Sequence, residues 1–471
     1  MTVVQRIEGL RDDRLGDADA ILWALDRDPL LRSAITMVVV LDREPVFEDV
    51  VDRLGALCRR THHFRSVVQP PRRPWGRPRW EEDAHFEVAA HVAHVRAAGP
   101  RDLRAVLDLA QGMAINAFDP ARPLWEAMAV DDLVDGQAAL IVKVHHAVID
   151  GVGGLEVAAS MLDRDRVGNP LLGVSEPVEG FGRSRWDAAF SAIGEVIGAP
   201  GRLTSATWRA ATHPNDSARR WLDTLTGAGQ LVAPTPHPLS SVFGERTLGR
   251  RFEVVDLTAD ALDRVGALAG VTLNDVFVAG LLRGLSLYHD RHGTPVEHLR
   301  AVMPVSTRRP TDPIESNRFV PVRLVLPANL TDAESYLRVV PDILGKWKHA
   351  PALGVSDLLT VALDRLPAPV TVGVFAMMLK GVDFVATDIP GPPTDAFLAG
   401  GRVEAIYAFA PLSGAAINVA LVTMAGRPCI GVNIDSGAVS DPLELTACLS
   451  QGINEAAEAA PSTCGRKEEG S

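Results

Sequence analysis

The chain has 471 residues, enough for two or three domains of ordinary size, and 47% of them are hydrophobic against 23% charged. That balance belongs to a soluble globular protein with ample core and excludes a disordered chain, a collagen-like fibre or a coiled-coil rod. With a net charge of −12 and only 5% aromatics, no nucleic-acid partner is expected.

Met1 to Arg11 lacks the apolar core of a secretory signal, and Cys58, Cys429, Cys448 and Cys464 stand far apart without a CxxC pair. The expectation is a reduced, cytoplasmic protein with no disulfide framework and no metal site. The most apolar run, Leu366 to Leu379, falls short of the ~20 residues that span a bilayer. It reads as a buried core segment or as a segment lying on a membrane surface.

Ala34 to Leu41 is rich in β-branched residues and predicts a buried strand, and Phe47 to Arg60 has the spacing of an amphipathic helix. A second helix follows at Leu103 to Asn116 and a strand at Ala138 to His145. Between residues 166 and 245 glycine, proline, serine and threonine become frequent, as in a connector, with short helices near Trp186–Val196 and Ser217–Leu225. A helix then opens at Thr272-Leu-Asn-Asp275, and strands are expected at Val320–Leu326, Val403–Ala408, Ala416–Val422 and Pro428–Ile434. The fold class is mixed, α/β or α+β. Its organisation is an N-terminal domain over 1–165, a connector over 166–245, a C-terminal domain over 246–460 and a polar, disordered tail over 461–471.

Chemistry concentrates where the strand Ala138–Val144 runs into His145-His146-Ala-Val-Ile-Asp150-Gly151. Neighbouring strand residues point to opposite faces, so the two histidines cannot face one cleft if the strand continues through them: one can act as a base while the other packs. A neutral imidazole accepts a proton near neutral pH. Asp150 braces the turn or pairs with a distant arginine, and Gly151 suits a turn needing positive φ. His62-His63 lacks a following Asp-Gly turn and reads as structural.

With its spacing, His145-His146-x-x-x-Asp150-Gly151 resembles the HHxxxDG signature of the CoA-dependent acyltransferase superfamily. Pro123-Leu124-Trp125 resembles the PLW element of its bacterial wax ester synthase/diacylglycerol acyltransferase branch, and Asn274-Asp275 resembles the ND element. Met303 to Arg308, Asp388-Ile-Pro-Gly-Pro392 and Tyr407 to Asn418 follow in the family's order, so the resemblance spans about Asp17 to Leu449. It implies two chloramphenicol-acetyltransferase-like domains joined by a connector, with the active-site channel between them. It also implies His146 as general base, Asp150 as the residue that holds the loop, and a long-chain acyl-CoA as donor with no cofactor. The acceptor would be a diacylglycerol or fatty alcohol hydroxyl, met at a membrane or lipid-droplet surface to which the chain binds peripherally.

Each element also has a structural reading. Trp125 with Pro123 and Leu124 fits a strand entry packed on the core as well as a substrate wall. Thr272 and Asp275 fit a helix-capping box, which leaves Asn274 either reaching across the domain interface or exposed to solvent. Arg283, Arg308, Arg309, Arg318 and Arg323 are candidates for CoA phosphates without being singled out. The chain departs from the family at Ser316, at Thr387-Asp388 and in the alanine-rich stretch before Asn418, and these changes bear on acceptor identity. Two other readings share the motif: a condensation-type enzyme fed by a carrier protein, and a catalytically weak lipid-binding or lipid-droplet protein.

Overall fold

The computed structural model describes residues 13–71, 76–149, 159–169, 237–257, 272–306, 319–348 and 368–468. In chain order the described strands are Ala34–Leu41 (β1), Ser66–Gln69 (β2), Arg79–Glu82 (β3), Val92–Arg96 (β4), Trp125–Asp131 (β5), Ala138–His145 (β6), Arg251–Val255 (β7), His298–Ser306 (β8), Phe319–Pro327 (β9), Phe384–Pro390 (β10), Phe397–Leu398 (β11), Gly401–Phe409 (β12), Ile417–Met424 (β13) and Arg427–Ile434 (β14). The described α-helices are Asp17–Leu25 (α1), Phe47–Arg60 (α2), Leu103–Ile115 (α3), Leu273–Arg291 (α4), Ala333–Lys348 (α5), Ala368–Leu379 (α6) and Pro442–Glu468 (α7).

Two six-stranded sheets organise the mixed fold, in the orders β11-β12-β1-β6-β5-β4 and β7-β14-β13-β10-β8-β9. The β-branched run of β1 sits in the middle of the first sheet, antiparallel to β6 on one side and to β12 on the other. Helix α2 lays Val50, Leu54, Leu57 and Cys58 into the core, with Glu48 and Asp49 in its first turn and Arg59 and Arg60 in its last, matching the helix dipole. Val106, Leu107, Ala110 and Met113 of α3 pack on residues of β1, β5 and β6 together with Phe252 and Phe409.

The strand expected at Val403–Ala408 is present as β12, but it belongs to the first sheet and not to a self-contained C-terminal half. Its pattern is that of any half-buried strand, so nothing in the segment itself reveals the partner. The two halves are further joined by a single apolar cluster that takes in Ile389, Val422 and Cys429 together with Trp125, Val144 and Val148. Phe252 of β7 stacks on Phe409 of β12 at 4.1 Å. Arg104 on α3 donates to the Phe252 carbonyl at 2.7 Å and pairs with Glu253 at 3.1 Å.

The second sheet is not continuous along its length. β10 pairs with β8 only at Phe384↔Ala301 and Val385↔Val302, yet it stays paired with β13 as far as Pro390↔Thr423. Beyond Val385 the two strands part, leaving one edge of Thr387–Pro390 without a strand partner among the described residues.

The last helix runs through Pro461 to Glu468, where a disordered tail is expected. Polar composition argues for exposure, which a helix satisfies as well as a coil does. The apolar run near Leu366–Leu379 forms α6, which packs on α1 through Val372, Phe375, Ala376 and Leu379 while Val370 and Met377 stay 48% and 53% exposed. Most of the expected connector, including both short helices proposed within it, lies outside the described residues.

Helices α4 and α7 cross on glycine. A Cβ at Gly284 would lie 2.7 Å from the Cys448 carbonyl oxygen, and one at Gly452 would lie 2.3 Å from the Gly284 nitrogen. Replacing Gly284 by Val therefore forces the helices apart and is expected to destabilise the fold by about 1–3 kcal/mol or more. Gly345 on α5 has nothing within 4 Å of the same position, so Gly345→Ala should instead stabilise by roughly 0.5–1 kcal/mol. Thermal and urea unfolding of the two variants checks both signs.

Candidate active site

Strand β6 ends at His145, whose side chain is 1% exposed. Its backbone N–H donates to the Leu124 carbonyl at 2.9 Å. His145 Nδ1 accepts the Ala147 N–H at 3.0 Å, so the proton of the neutral ring sits on Nε2, which lies 3.2 Å from Asp26 Oδ2. Phe118 meets the same ring edge-on at 6.0 Å. His145 is thus the packed member of the pair.

The next residue, His146, has left the ladder. It sits in a turn closed by the Val148 N–H donating to the His145 carbonyl at 2.9 Å. Its own N–H donates to the Ser33 carbonyl at 2.8 Å, and its side chain is only half-buried. The strand does not continue through both histidines, so alternation does not divide them; the turn does, leaving His145 enclosed and His146 half-buried. Asp150 and Gly151, expected to complete the motif, lie outside the described residues.

Pro123, Leu124 and Trp125 form the entry to β5, beside the end of β6. Trp125 is buried, donates Nε1–H to the Phe64 carbonyl at 2.7 Å and stacks on His91 at 4.8 Å. His91 Nδ1 in turn lies 2.9 Å from the Trp125 carbonyl, and burial holds that imidazole below its ordinary pKa. Of the two readings of this element, packing dominates, and Leu124 adds a direct backbone hold on His145. A cleft of about 270 Å³ opens next to it, lined by His91, Met113, Phe118, Arg122, Trp125 and Met128. Phe118 therefore borders the cleft and touches His145.

Under Phe118 lies a charge that sequence reading missed. Lys143 is fully buried, with Nζ 4.2 Å from the Phe118 ring, 2.8 Å from the Asn116 carbonyl and 2.6 Å from Glu126 Oε1. Burial pulls its pKa down, against the pull of Glu126. Asp26 was missed as well. Burial pushes its carboxyl up, but His145, the Ser33 N–H and Arg32 together hold it below the usual carboxylate value. Neither residue belongs to a spaced motif; only the pairing of β1 with β6 and the end of α1 bring them here.

The ND element lies elsewhere, at the start of α4. Thr272 Oγ1 accepts the Asp275 N–H at 3.2 Å and Asp275 Oδ2 accepts the Thr272 N–H at 2.9 Å, which completes the expected capping box. Asn274 is 4% exposed, so the solvent-exposed alternative is corrected. Its Nδ2 has no hydrogen-bond partner among the described residues. A position two residues past the N-cap does not reveal that neighbouring elements cover this turn.

The other candidates take structural places. His63 stacks on Trp80 at 4.3 Å, as the structural reading of His62-His63 expects. Arg283 is committed to Glu455 at 2.7 Å, and Arg308, Arg309, Arg318 and Ser316 lie outside the described residues. Asn418 and Asn433 donate to the Pro411 and Ala410 carbonyls, each at 2.8 Å, pinning the link from β12 to β13. Among the described residues no group of three His, Cys, Asp or Glu is placed to hold a metal.

Comparison with known proteins identifies the lineage of this arrangement. Residues 15–277 match the wax ester synthase/diacylglycerol acyltransferase catalytic domain, and residues 315–456 match the C-terminal domain of the same enzymes. The chain belongs to the wax ester synthase/diacylglycerol acyltransferase family. A protein of Mycobacterium tuberculosis named as a diacylglycerol O-acyltransferase is 29% identical over 94% of this chain and 91% of its own length. A second from that organism, carrying the same enzyme name, is 25% identical over 92% of both. Among solved structures, the wax ester synthase/diacylglycerol acyltransferase of Marinobacter aquaeolei VT8 superposes with a TM-score of 0.62 at 20% identity, covering 95% of this chain and all of that one. The first condensation domain of the CDA synthetase gives 0.56 at 18% identity, over 96% and 97%. At these identities the structures speak for the fold alone. As a family member the chain is an acyltransferase acting on diacylglycerol or alcohols.

Asp388, one of this chain's departures from the family pattern, stands on β10 where that strand leaves β8. Strand alternation puts it on the face of Phe384 and Ala386. Burial raises its pKa to about 6. Because the folded pKa exceeds the unfolded one, the penalty for ionising it in place grows from near pH 4 and is complete above pH 6. Asp388→Asn should therefore be more stable than the parent by roughly 2–3 kcal/mol at pH 8, with the gain vanishing near pH 4. Urea titrations at the two pH values measure it.

Proposed function

We propose that the protein transfers a long-chain acyl group from acyl-CoA to the hydroxyl of a diacylglycerol or fatty alcohol, giving triacylglycerol or wax ester, with His146 as general base. The observation that carries this reading is the division of the histidine pair. His145 is enclosed, with Nδ1 accepting the Ala147 N–H and Nε2 3.2 Å from Asp26 Oδ2, while His146 stands half-open on a turn whose backbone is pinned to Ser33.

An unassisted hydroxyl is a poor nucleophile, and a positioned base contributes roughly 10²–10⁴-fold. The His146 imidazole takes the hydroxyl proton as oxygen bonds to the thioester carbonyl carbon. The C–S bond then breaks, and the proton passes to the departing CoA thiolate. No acyl-enzyme is needed, since donor and acceptor meet at one imidazole.

Both lipid substrates and the product are insoluble, so the enzyme works at a membrane or lipid-droplet surface from the cytoplasmic side. Among the described residues no helix is long and apolar enough to cross a bilayer. The half-exposed apolar helix α6, with Val370 and Met377 outward, supports peripheral attachment.

Release of free thiol from palmitoyl-CoA, compared with hexadecanol, dipalmitoylglycerol and no acceptor, tests the reading. Acceptor-dependent release is expected, falling roughly 10²–10⁴-fold in His146→Ala. Near-normal turnover in that variant would remove His146 from the mechanism. Acyl-CoA binding without release would favour a lipid-binding role.

A further inference from the structure

Asp26 closes helix α1 and brings Oδ2 to 3.2 Å from His145 Nε2. Its Oδ1 accepts the Ser33 N–H at 2.9 Å, and the Ser33 carbonyl accepts the His146 N–H at 2.8 Å. One carboxylate thus reaches the ring of the first histidine and, through a single residue, the backbone of the second. We propose that Asp26 is a positioning residue of the acyl-transfer site, orienting the His145 ring and fixing the placement of His146. The proposal rests on the reading of His146 as the general base.

The charges around it suit the role. Arg32 and His145 face Asp26 most closely, and Lys143 acts on it from β6 while paired with Glu126. These groups hold the carboxyl below its usual pKa against burial, which pushes it up. An ionised carboxylate, which only accepts, here does two things less well served by an amide, which presents an NH2 as readily as an oxygen. It holds the His145 proton on Nε2, which leaves Nδ1 free to accept the Ala147 N–H and shape the turn under His146. It also favours the positive charge that appears on His146 when it takes the hydroxyl proton. The negative end of α1 lies at the same place, so the carboxylate would be unfavourable there without the histidine. That cost argues for a role beyond ending a helix.

The test compares the full chain with Asp26→Asn and Asp26→Glu by thiol release from about pH 5.5 to about pH 9, alongside thermal unfolding. Asp26→Asn is expected to lower kcat roughly 10- to 100-fold with an unchanged KM for palmitoyl-CoA, and to leave the melting temperature within about 2 °C. Its acid limb should move to lower pH, because removing a negative charge makes the nearby imidazole easier to deprotonate. Asp26→Glu should recover a substantial part of the rate. Activity within about 3-fold of the parent in Asp26→Asn, or a loss that follows unfolding with no movement of the acid limb, would overturn the proposal. Spectra of ¹⁵N-histidine-labelled protein, assigned with His145→Gln, separate this from failure of the reaction itself. The parent should show His145 protonated on Nε2 whether or not turnover is seen, and an identical signal in Asp26→Asn would equally sink the idea.

Discussion

The molecule depends on one antiparallel pairing, that of β1 with β12. Val38 faces Tyr407 and Thr36 faces Phe409 across this ladder, while the other edge of β1 aligns Ala34 with His145. A strand from late in the chain is thereby hydrogen-bonded to the strand that holds the histidine strand in register. The pairing also carries β12 close to the second sheet: a Cβ at Gly431 would lie 2.4 Å from the Ala408 carbonyl oxygen, so only glycine allows the approach. The exchange runs one way: the C-terminal half supplies β11 and β12 to the first sheet, while the second sheet is built from Arg251 onward alone.

Around the histidines, enclosure and access are produced by the same backbone. Leu124 and Ser33 accept the N–H groups of His145 and His146 in turn, so two different elements grip consecutive residues. The ring of His145 then fills the space between Phe118 and Asp26, and His146 is left at the margin. Such a division needs no special residue at position 146. It follows from ending a strand one residue earlier and turning.

What the sequence revealed, and what it did not, follows from the range of the interactions. Local patterns located β1, α2, α3, β6, the capping box of α4 and the strands from Ile417 to Ile434, because periodicity and capping are properties of neighbouring residues. The histidine motif and the PLW element were legible as spaced patterns. Asp26 and Lys143 were not, since one ends a helix and the other alternates within a strand, and neither position is distinctive until β1, β5 and β6 are assembled. The crossing of β12 was missed for the same reason: its partner β1 lies across a gap of more than three hundred residues.

That crossing has a consequence for how the chain comes to be folded. During synthesis from the N-terminus, β1 emerges some 360 residues before its partner β12, as in the pairing of Val40 with Ala405. Until then one edge of a strand rich in valine stands unpaired, the kind of surface that recruits other chains. Closure of the first sheet is therefore a late event, and the nascent N-terminal half has to be shielded until the C-terminal half arrives to complete it. Once closed, the same topology makes separation of the halves equivalent to unzipping a central strand, so a cut in the intervening chain leaves both pieces held together.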